Sequence, residues 1–231
     1  MISVLGRFID FLCPRVCLEC GCRLGAEEDV VCLSCNMHLD RTNYAKNPYD
    51  NEMAKLFWKL LPIEKATAMF FYHSGDNQSK IIYDIKYYDR DDIGIKMGTY
   101  AAKEIIEDEF FDGIDVIVPV PLAKNRLRQR GYNQSEMIAL GISDVTRIPV
   151  VVDAVIRDEF VKSQTHLSPM ERRENVDQIF HLEKADRVKN KHVLIVDDVC
   201  TSGSTIRALG TEICKAGNVK ISVFVLGFTH S

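Results

Sequence analysis

Two adjacent acids and a run of small hydroxyl residues follow an apolar segment near the end of the chain. Residues 193–205 read VLIVDDVCTSGST, so an apolar run leads directly into Asp197 and Asp198. Small residues at this point allow successive backbone N–H groups to close around a phosphate, and the N-terminus of a following helix favours negative charge. We therefore predict a phosphate-binding loop. Its residues are Thr201, Ser202, Gly203, Ser204 and Thr205.

The two acids require a ligand other than the phosphate, because a carboxylate repels a phosphate placed beside it. Ribose hydroxyls donate hydrogen bonds to carboxylates, and carboxylate oxygens are ligands for Mg²⁺. Successive side chains diverge at a strand end, so we expect one of Asp197 and Asp198 to face the ligand and the other to brace the loop. The patterns GxxxxGK[ST] and GxGxxG are absent, which disfavours an NTPase loop and a dinucleotide-binding fold. The remaining alternative is a strand followed by an ordinary capped helix.

Six of the eight cysteines lie between residues 13 and 35, and four of them form two CxxC pairs separated by eleven residues. This spacing points four thiolates at one tetrahedral ion, which favours a structural zinc site. Such an ion would stabilise a segment too short to bury a core of its own. The predicted ligands are Cys17, Cys20, Cys32 and Cys35. An iron–sulfur cluster, ordinary buried thiols and a redox pair are the alternatives. Cys13 and Cys22 are spare candidates, and His38 is a weaker one.

Three arginines alternate along the chain just after the apolar run VPVPL, at Arg126, Arg128 and Arg130. In an extended loop these positions point to one side, and three neighbouring guanidinium groups are costly unless an anion compensates them. Pyrophosphate is a suitable anion. A solvated basic turn is the alternative interpretation.

Composition places the chain among ordinary globular proteins, with 46% hydrophobic and 27% charged residues. The 29 basic residues against 33 acids, a net charge of −4, argue against a generic nucleic-acid coat. No apolar run approaches the roughly 20 residues of a membrane-spanning helix. The apolar start is interrupted by Arg7 and Asp10, which disfavours a signal peptide. We expect a cytoplasmic protein with an amphipathic N-terminal helix.

The composition changes near residue 45, which predicts a small zinc-ribbon-like module over residues 1–45 and a larger domain over residues 46–231. In the larger part, apolar strand-like runs alternate with amphipathic helix-like stretches. Candidate strands occupy 66–72, 116–120, 150–156, 193–196 and 221–226, and candidate helices occupy 78–87, 94–108, 133–142 and 205–216. This alternation is typical of an α/β fold, with a mostly parallel sheet flanked by helices.

Residues 193–205 resemble the phosphoribosyl-pyrophosphate (PRPP) motif of type I phosphoribosyltransferases. Three further segments, at 84–92, 119–139 and 163–176, follow the four-cysteine start and resemble the ComF family, whose members are linked to DNA uptake during natural competence. The resemblance implies a type I phosphoribosyltransferase-like fold that binds PRPP with Mg²⁺. It also places Lys86 near the pyrophosphate, and it makes the polar stretch 163–175 the candidate for a flap over the site.

Two functional hypotheses follow. In the first, the chain is an enzyme that transfers phosphoribose to a nitrogen acceptor, with Asp197 and Asp198 as catalytic residues and Lys86, Arg126 and Arg130 binding PRPP. In the second, the same pocket binds PRPP or a nucleotide without turnover and docks competence proteins. A third interpretation, with less support, is that residues 126–130 and Tyr132 contact single-stranded DNA directly. Within the phosphate loop, Cys200 is either a reactive thiol or a small packing residue.

Overall fold

The computed structural model describes residues 14–73, 75–76, 79–86, 90–158 and 179–229. The expected amphipathic N-terminal helix, Cys13 and the candidate flap at 163–175 lie outside these residues. The strands are β1 Ile63–Phe71, β2 Val116–Pro119, β3 Val155–Arg157, β4 Phe180–Leu182, β5 His192–Cys200 and β6 Lys220–Phe228. The α-helices are α1 Leu33–His38, α2 Glu52–Lys55, α3 Ser79–Lys86, α4 Asp91–Ile105, α5 Lys124–Arg130, α6 Gln134–Thr146 and α7 Ser204–Cys214.

Four of these strands form one parallel sheet in the order β1-β6-β5-β2. Strand β5 lies inside the sheet, with Val193 opposite Ile221 on one side and opposite Val116 on the other. From Val193 to Val196 its residues are apolar and buried on both faces, as in parallel strands that helices cover. The prediction of a mostly parallel sheet flanked by helices is confirmed.

A separate antiparallel pair, β3 with β4, stands beside this sheet. The candidate strand at 150–156 therefore forms only in part. Val150 makes a single bridge to Ile117 of β2, and the chain then turns away before β3 begins at Val155.

Side chains that alternate along β5 divide between two apolar layers. Ile195 belongs to the layer that α7 covers, together with Leu209. Leu194 belongs to the opposite layer, which α3, α4 and α6 cover. Helices α4 and α6 cross at close range, because a Cβ atom on Gly141 would lie 2.0 Å from the carbonyl oxygen of Ile95. This packing fixes the first turn of α6 against the end of β5.

The four-cysteine segment packs on the sheet face that α3 and α4 cover. Cys17 belongs to the same buried cluster as Ile81 of α3. Arg41 joins the segment to α4, since its Nε donates to Glu104 Oε1 at 2.6 Å. The division of the chain after residue 45 stays a prediction. In the described ranges, we find no helix with the length and apolar character needed to cross a bilayer.

Candidate functional site

The paired acids lie inside β5 rather than beyond its end, because β6 continues alongside them and places Asp197 opposite Val225. Asp197 is buried, and its Oδ1 accepts hydrogen bonds from Ser135 Oγ at 2.8 Å and from the backbone N–H of Asp198 at 2.9 Å. Burial and the neighbouring charge of Asp198 raise the pKa of Asp197 to about 7, although Ser135, the Asp198 N–H and Lys86 act in the opposite direction. Asp197 is therefore braced by the first turn of α6.

The second acid forms an ion pair across the site. Lys86 Nζ lies 3.1 Å from Asp198 Oδ2. Lys86 is the last residue of α3, a helix held in place by the buried side chains of Ile81, Ile82 and Ile85. The hydroxyl of Tyr132 donates to the carbonyl oxygen of Ile85 at 2.7 Å, which ties the connection between α5 and α6 to the end of α3.

The predicted phosphate loop connects β5 to α7 and shares a cavity of about 30 Å³ with Asp197. Gly203 has φ +72°, a left-handed conformation, and a Cβ atom there would lie 2.8 Å from Cε1 of Phe57. Only glycine satisfies both conditions without strain. Helix α7 begins at Ser204 without a side-chain cap, so the N–H groups of its first turn are available to an anion. Thr201 and Ser202 are exposed.

Cys200, which lines the same cavity, is buried. Burial and the charge of Asp197 raise the pKa of its thiol to about 12, although the backbone N–H of Gly203 works in the opposite direction. A thiol with this pKa is protonated near neutral pH and is a poor nucleophile. The geometry favours the packing interpretation of Cys200.

The expectation of an extended arginine loop is wrong, because residues 124–130 form helix α5. Residues four apart share a helix face, whereas residues two apart do not. Arg126 and Arg130 therefore lie on one face of α5 and Arg128 lies on another. Arg130 donates to Gln134 Oε1 at 3.0 Å, and α5 ends at Arg130 with Gly131, which has φ +78°, as its C-cap.

Arg157, which the sequence did not single out, lies within electrostatic range of Asp197. Its guanidinium stands over the ring of Phe180, 5.2 Å from the centroid. Burial lowers the pKa of Arg157, the positive charge of Arg126 lowers it further, and Asp197 opposes both effects. Arg157 thus lies within electrostatic range of both Arg126 and Asp197. No sequence signal marked Arg157, since it is a single arginine in a short strand.

The four predicted thiol ligands lie together, with all sulfur atoms within 4.8 Å of one another. Cys20 Sγ and Cys32 Sγ are 3.7 Å apart, and a tetrahedral site with Zn–S of about 2.3 Å has S···S edges of about 3.8 Å. Against the effect of burial, backbone N–H groups of Cys20, Cys32 and Glu19 lower the pKa of Cys17 to about 7, whereas burial and the neighbouring thiols raise the pKa of Cys35. The cluster therefore fits a tetrahedral metal ion that binds thiolates.

The sequence profile of the phosphoribosyl transferase domain matches residues 87–227, more than half of the chain. The chain belongs to the phosphoribosyl transferase domain family. That assignment agrees with the type I phosphoribosyltransferase-like fold expected from the sequence.

Two curated relatives support the resemblance to the ComF family. The DNA utilization protein YhgH of Escherichia coli K12 is 30% identical over 151 residues, which cover 64% of this chain and 66% of YhgH. Competence protein F of Haemophilus influenzae is 34% identical over 113 residues, which cover 48% of this chain and 49% of that protein. The match thus spans just under two thirds of the first relative and about half of the second. The family resemblance is confirmed.

Among solved structures, the chain is similar to a glutamine PRPP amidotransferase from B. subtilis complexed with ADP and GMP. The two are 21% identical with a TM-score of 0.44, and the match covers 62% of this chain and 30% of that one. A likeness of this size carries no inference about activity.

Proposed function

We propose that this chain binds PRPP with Mg²⁺ at the carboxyl end of β5 and transfers its phosphoribosyl group to a nitrogen acceptor. The observation that carries the proposal is the juxtaposition of the acid pair, the glycine-centred loop and the ion-paired Lys86. Cations and carboxylates that lie together on one edge of a parallel sheet suit a ligand with both phosphates and hydroxyls.

The ligand is assigned from the charges. The 5-phosphate occupies residues 201–205, where backbone N–H groups of the loop and of α7 donate to it. The ribose hydroxyls donate to Asp197 or Asp198. The pyrophosphate lies toward Lys86, Arg126 and Arg130, with Arg157 as an added cation. Carboxylate oxygens of the acid pair are of the type that Mg²⁺ prefers, and the bound cation would neutralise pyrophosphate charge.

In this reaction the protein positions the reactants and stabilises the charge that develops in the transition state. When the bond between C1 and the pyrophosphate oxygen breaks, positive charge grows on the ribose, and the acid pair on its hydroxyl side stabilises that charge. Lys86 exchanges its contact with Asp198 for the departing pyrophosphate. The Ser135 hydrogen bond keeps Asp197 in place during this exchange.

The test measures PRPP binding and pyrophosphate release separately. Calorimetry with PRPP and Mg²⁺ should show binding that weakens by about 10- to 100-fold in D197N and in D198N, since a hydrogen bond to a charged group contributes about 1.5–3 kcal/mol. D144N, a change at an exposed acid on α6, is the matched control and should bind as the wild type does. Unchanged affinity in both site variants would refute the assignment.

A second candidate function is PRPP binding without turnover, coupled to docking of a partner. Two apolar side chains one turn apart on α1, Leu33 and Met37, are 64% and 73% exposed beside the cysteine cluster, and they favour this candidate. Incubation with PRPP, Mg²⁺ and a panel of amines and bases separates the two candidates. Release of pyrophosphate supports transfer, whereas tight binding with no release on any acceptor supports the docking module.

We further propose that the cysteine cluster holds one structural zinc ion and that the chain acts in DNA uptake or use. The names of the two curated relatives support the second statement. Deletion of the gene should impair uptake or use of DNA, and complementation with D198N tests whether the PRPP site is required. Full rescue by D198N would contradict a role for that site in the process.

A further inference from the structure

The four-cysteine segment, residues 14–41, and helix α3 share one buried layer. Buried side chains of the segment belong to the same cluster as the isoleucines of α3; they are Cys17, Leu24, Val30, Val31 and Leu39. A hydrogen bond also joins the two, since Lys80 Nζ donates to the carbonyl oxygen of Glu19 at 3.5 Å. Glu19 lies between the predicted ligands Cys17 and Cys20. The cysteine cluster and α3 are therefore packed as neighbours.

Helix α3 depends on this packing, because it has only eight residues. Isolated helices shorter than about 12–15 residues are marginal in water. Ile81, Ile82 and Ile85 are at most 2% exposed, whereas Tyr83 on the opposite side is 51% exposed. Loss of the four-cysteine segment would expose part of the buried face to water, and burial of that face is what holds the helix in place.

The four-cysteine segment in turn has little regular structure of its own. The longest regular element in residues 14–41 is α1, a helix of six residues. Arg41 holds the C-terminal end of the segment on α4 through two hydrogen bonds to Glu104, at 2.6 and 3.0 Å. A short segment that carries four thiolate ligands gains most of its folding free energy from the metal. Its packing against α3 therefore depends on metal binding.

The other end of α3 carries the cation of the proposed PRPP site. Lys86 Nζ lies 3.1 Å from Asp198 Oδ2. Six residues of helix separate Lys80 from Lys86, a distance of about 9 Å along the axis. One short helix thus contacts the four-cysteine segment near its start and the acid pair at its end. A shift of α3 would move Lys86 away from both Asp198 and the pyrophosphate proposed to lie beside it.

We propose that metal binding at the cysteine cluster controls the affinity of the PRPP site by fixing α3 and, through it, Lys86. The inference rests on the proposed PRPP and zinc sites. With the metal bound, the four-cysteine segment covers α3, and Lys86 faces the pyrophosphate. Without the metal this cover is lost, α3 shifts, and PRPP binds weakly. Linkage is reciprocal, so bound PRPP tightens metal binding by the same factor.

The experiment starts from the zinc-loaded chain and measures PRPP affinity by calorimetry before and after zinc removal. A chelator selective for zinc is added and then removed, while Mg²⁺ is held constant. PRPP affinity should fall by about 10- to 100-fold, the range expected when a hydrogen bond to a charged group is lost. Returning zinc should restore it. Competition with a chromogenic zinc chelator should show that PRPP strengthens zinc binding by the same factor.

The variant K86M tests whether the effect passes through α3. Zinc removal should change the PRPP affinity of K86M by less than about 2-fold, because the side chain that α3 positions is gone. K96M is the matched control, since Lys96 lies on the exposed face of α4 and should keep the full zinc dependence. Equal zinc dependence in K86M and in the wild type would overturn the proposal. Unchanged PRPP affinity in the zinc-free wild type would overturn it as well.

Circular dichroism separates a local change from loss of the whole fold. The zinc-free chain should keep most of its far-UV signal and a cooperative thermal transition. Loss of both would overturn the proposal, since the metal would then hold the entire domain rather than α3. If the zinc-loaded wild type fails to bind PRPP, the proposed function fails first. If elemental analysis finds no zinc, the metal assignment fails and this inference fails with it.

Discussion

Lys86 Nζ and Asp198 Oδ2 meet at 3.1 Å, joining the last residue of α3 to the end of the central strand β5. The side chain of Asp198 is only 8% exposed and that of Lys86 is 28% exposed. An ion pair at this depth is strongly coupled, because removing one partner leaves the other charge poorly solvated.

The first prediction concerns this pair. K86M should lower the free energy of unfolding by about 2–3 kcal/mol, and the double variant K86M/D198N should regain more than half of that loss. K96M is the control, since Lys96 pairs with Asp92 on the exposed face of α4 and should cost less than about 1 kcal/mol. Urea denaturation of the wild type, K86M, D198N, K86M/D198N and K96M measures these values. Additive losses in the double variant would mean that the two side chains are not coupled.

The second prediction concerns pH. The pKa of Asp197 is about 7 in the folded protein against an ordinary value of 3.8. Between these values the folded protein binds a proton that the unfolded chain lacks, so stability falls as pH rises through this window. Relative to D197N, the wild type should lose on the order of 1–3 kcal/mol between about pH 4 and about pH 8. Denaturation midpoints across that range test this, and parallel curves for the two proteins would contradict it.

The third prediction concerns the phosphate loop. G217A should lower the free energy of unfolding by about 1 kcal/mol, because Gly217 has a left-handed conformation. No atom lies within 4 Å of the added Cβ, so this substitution creates no clash. G203A has the same conformational cost, and its Cβ also clashes with the ring of Phe57. Its loss in free energy of unfolding should therefore be about 1–3 kcal/mol larger than that of G217A. G203A should also weaken PRPP binding. Equal losses in free energy of unfolding in the two variants would contradict the prediction, since they would show that the Phe57 ring moves aside at no cost.

The fourth prediction concerns the cysteine cluster. Elemental analysis should find one zinc ion per chain, and C17S or C35S should lose it. C22S is the control, because Cys22 is exposed and lies outside the group of four sulfur atoms. Chelation should lower the midpoint of thermal unfolding, since metal binding contributes folding free energy. Iron in place of zinc, or retention of metal by C17S, would overturn the assignment.

Features encoded by contiguous residues were the ones that the sequence predicted well. The acids, the loop and the start of α7 follow one another along the chain, so strand, turn and helix signals sufficed. The cysteine cluster was predictable because its ligand spacing is specific. Neither prediction required knowing which residues, far apart in the sequence, come into contact in the fold.

Features that depend on long-range packing were not predictable in the same way. Ser135 reaches Asp197 only because β2 pairs with β5 and α6 packs beside them. Arg157 reaches the site through a three-residue strand with little pattern. Helix α5 was missed because Leu127 is its only large apolar residue, so the sequence shows no helical periodicity there. The left-handed conformation of Gly131 marks where the helix ends.

The ring of Phe57 packs against Gly203, and this contact limits how far the chain can be truncated at its N-terminal side. Residues 87–227 match the domain family, yet Phe57, strand β1 and Lys86 all precede them. A fragment cut to the matched boundaries would lose an outer strand of the sheet, the floor of its phosphate loop and the counter-ion of Asp198. The autonomous unit of this protein therefore begins upstream of the segment by which its family is recognised.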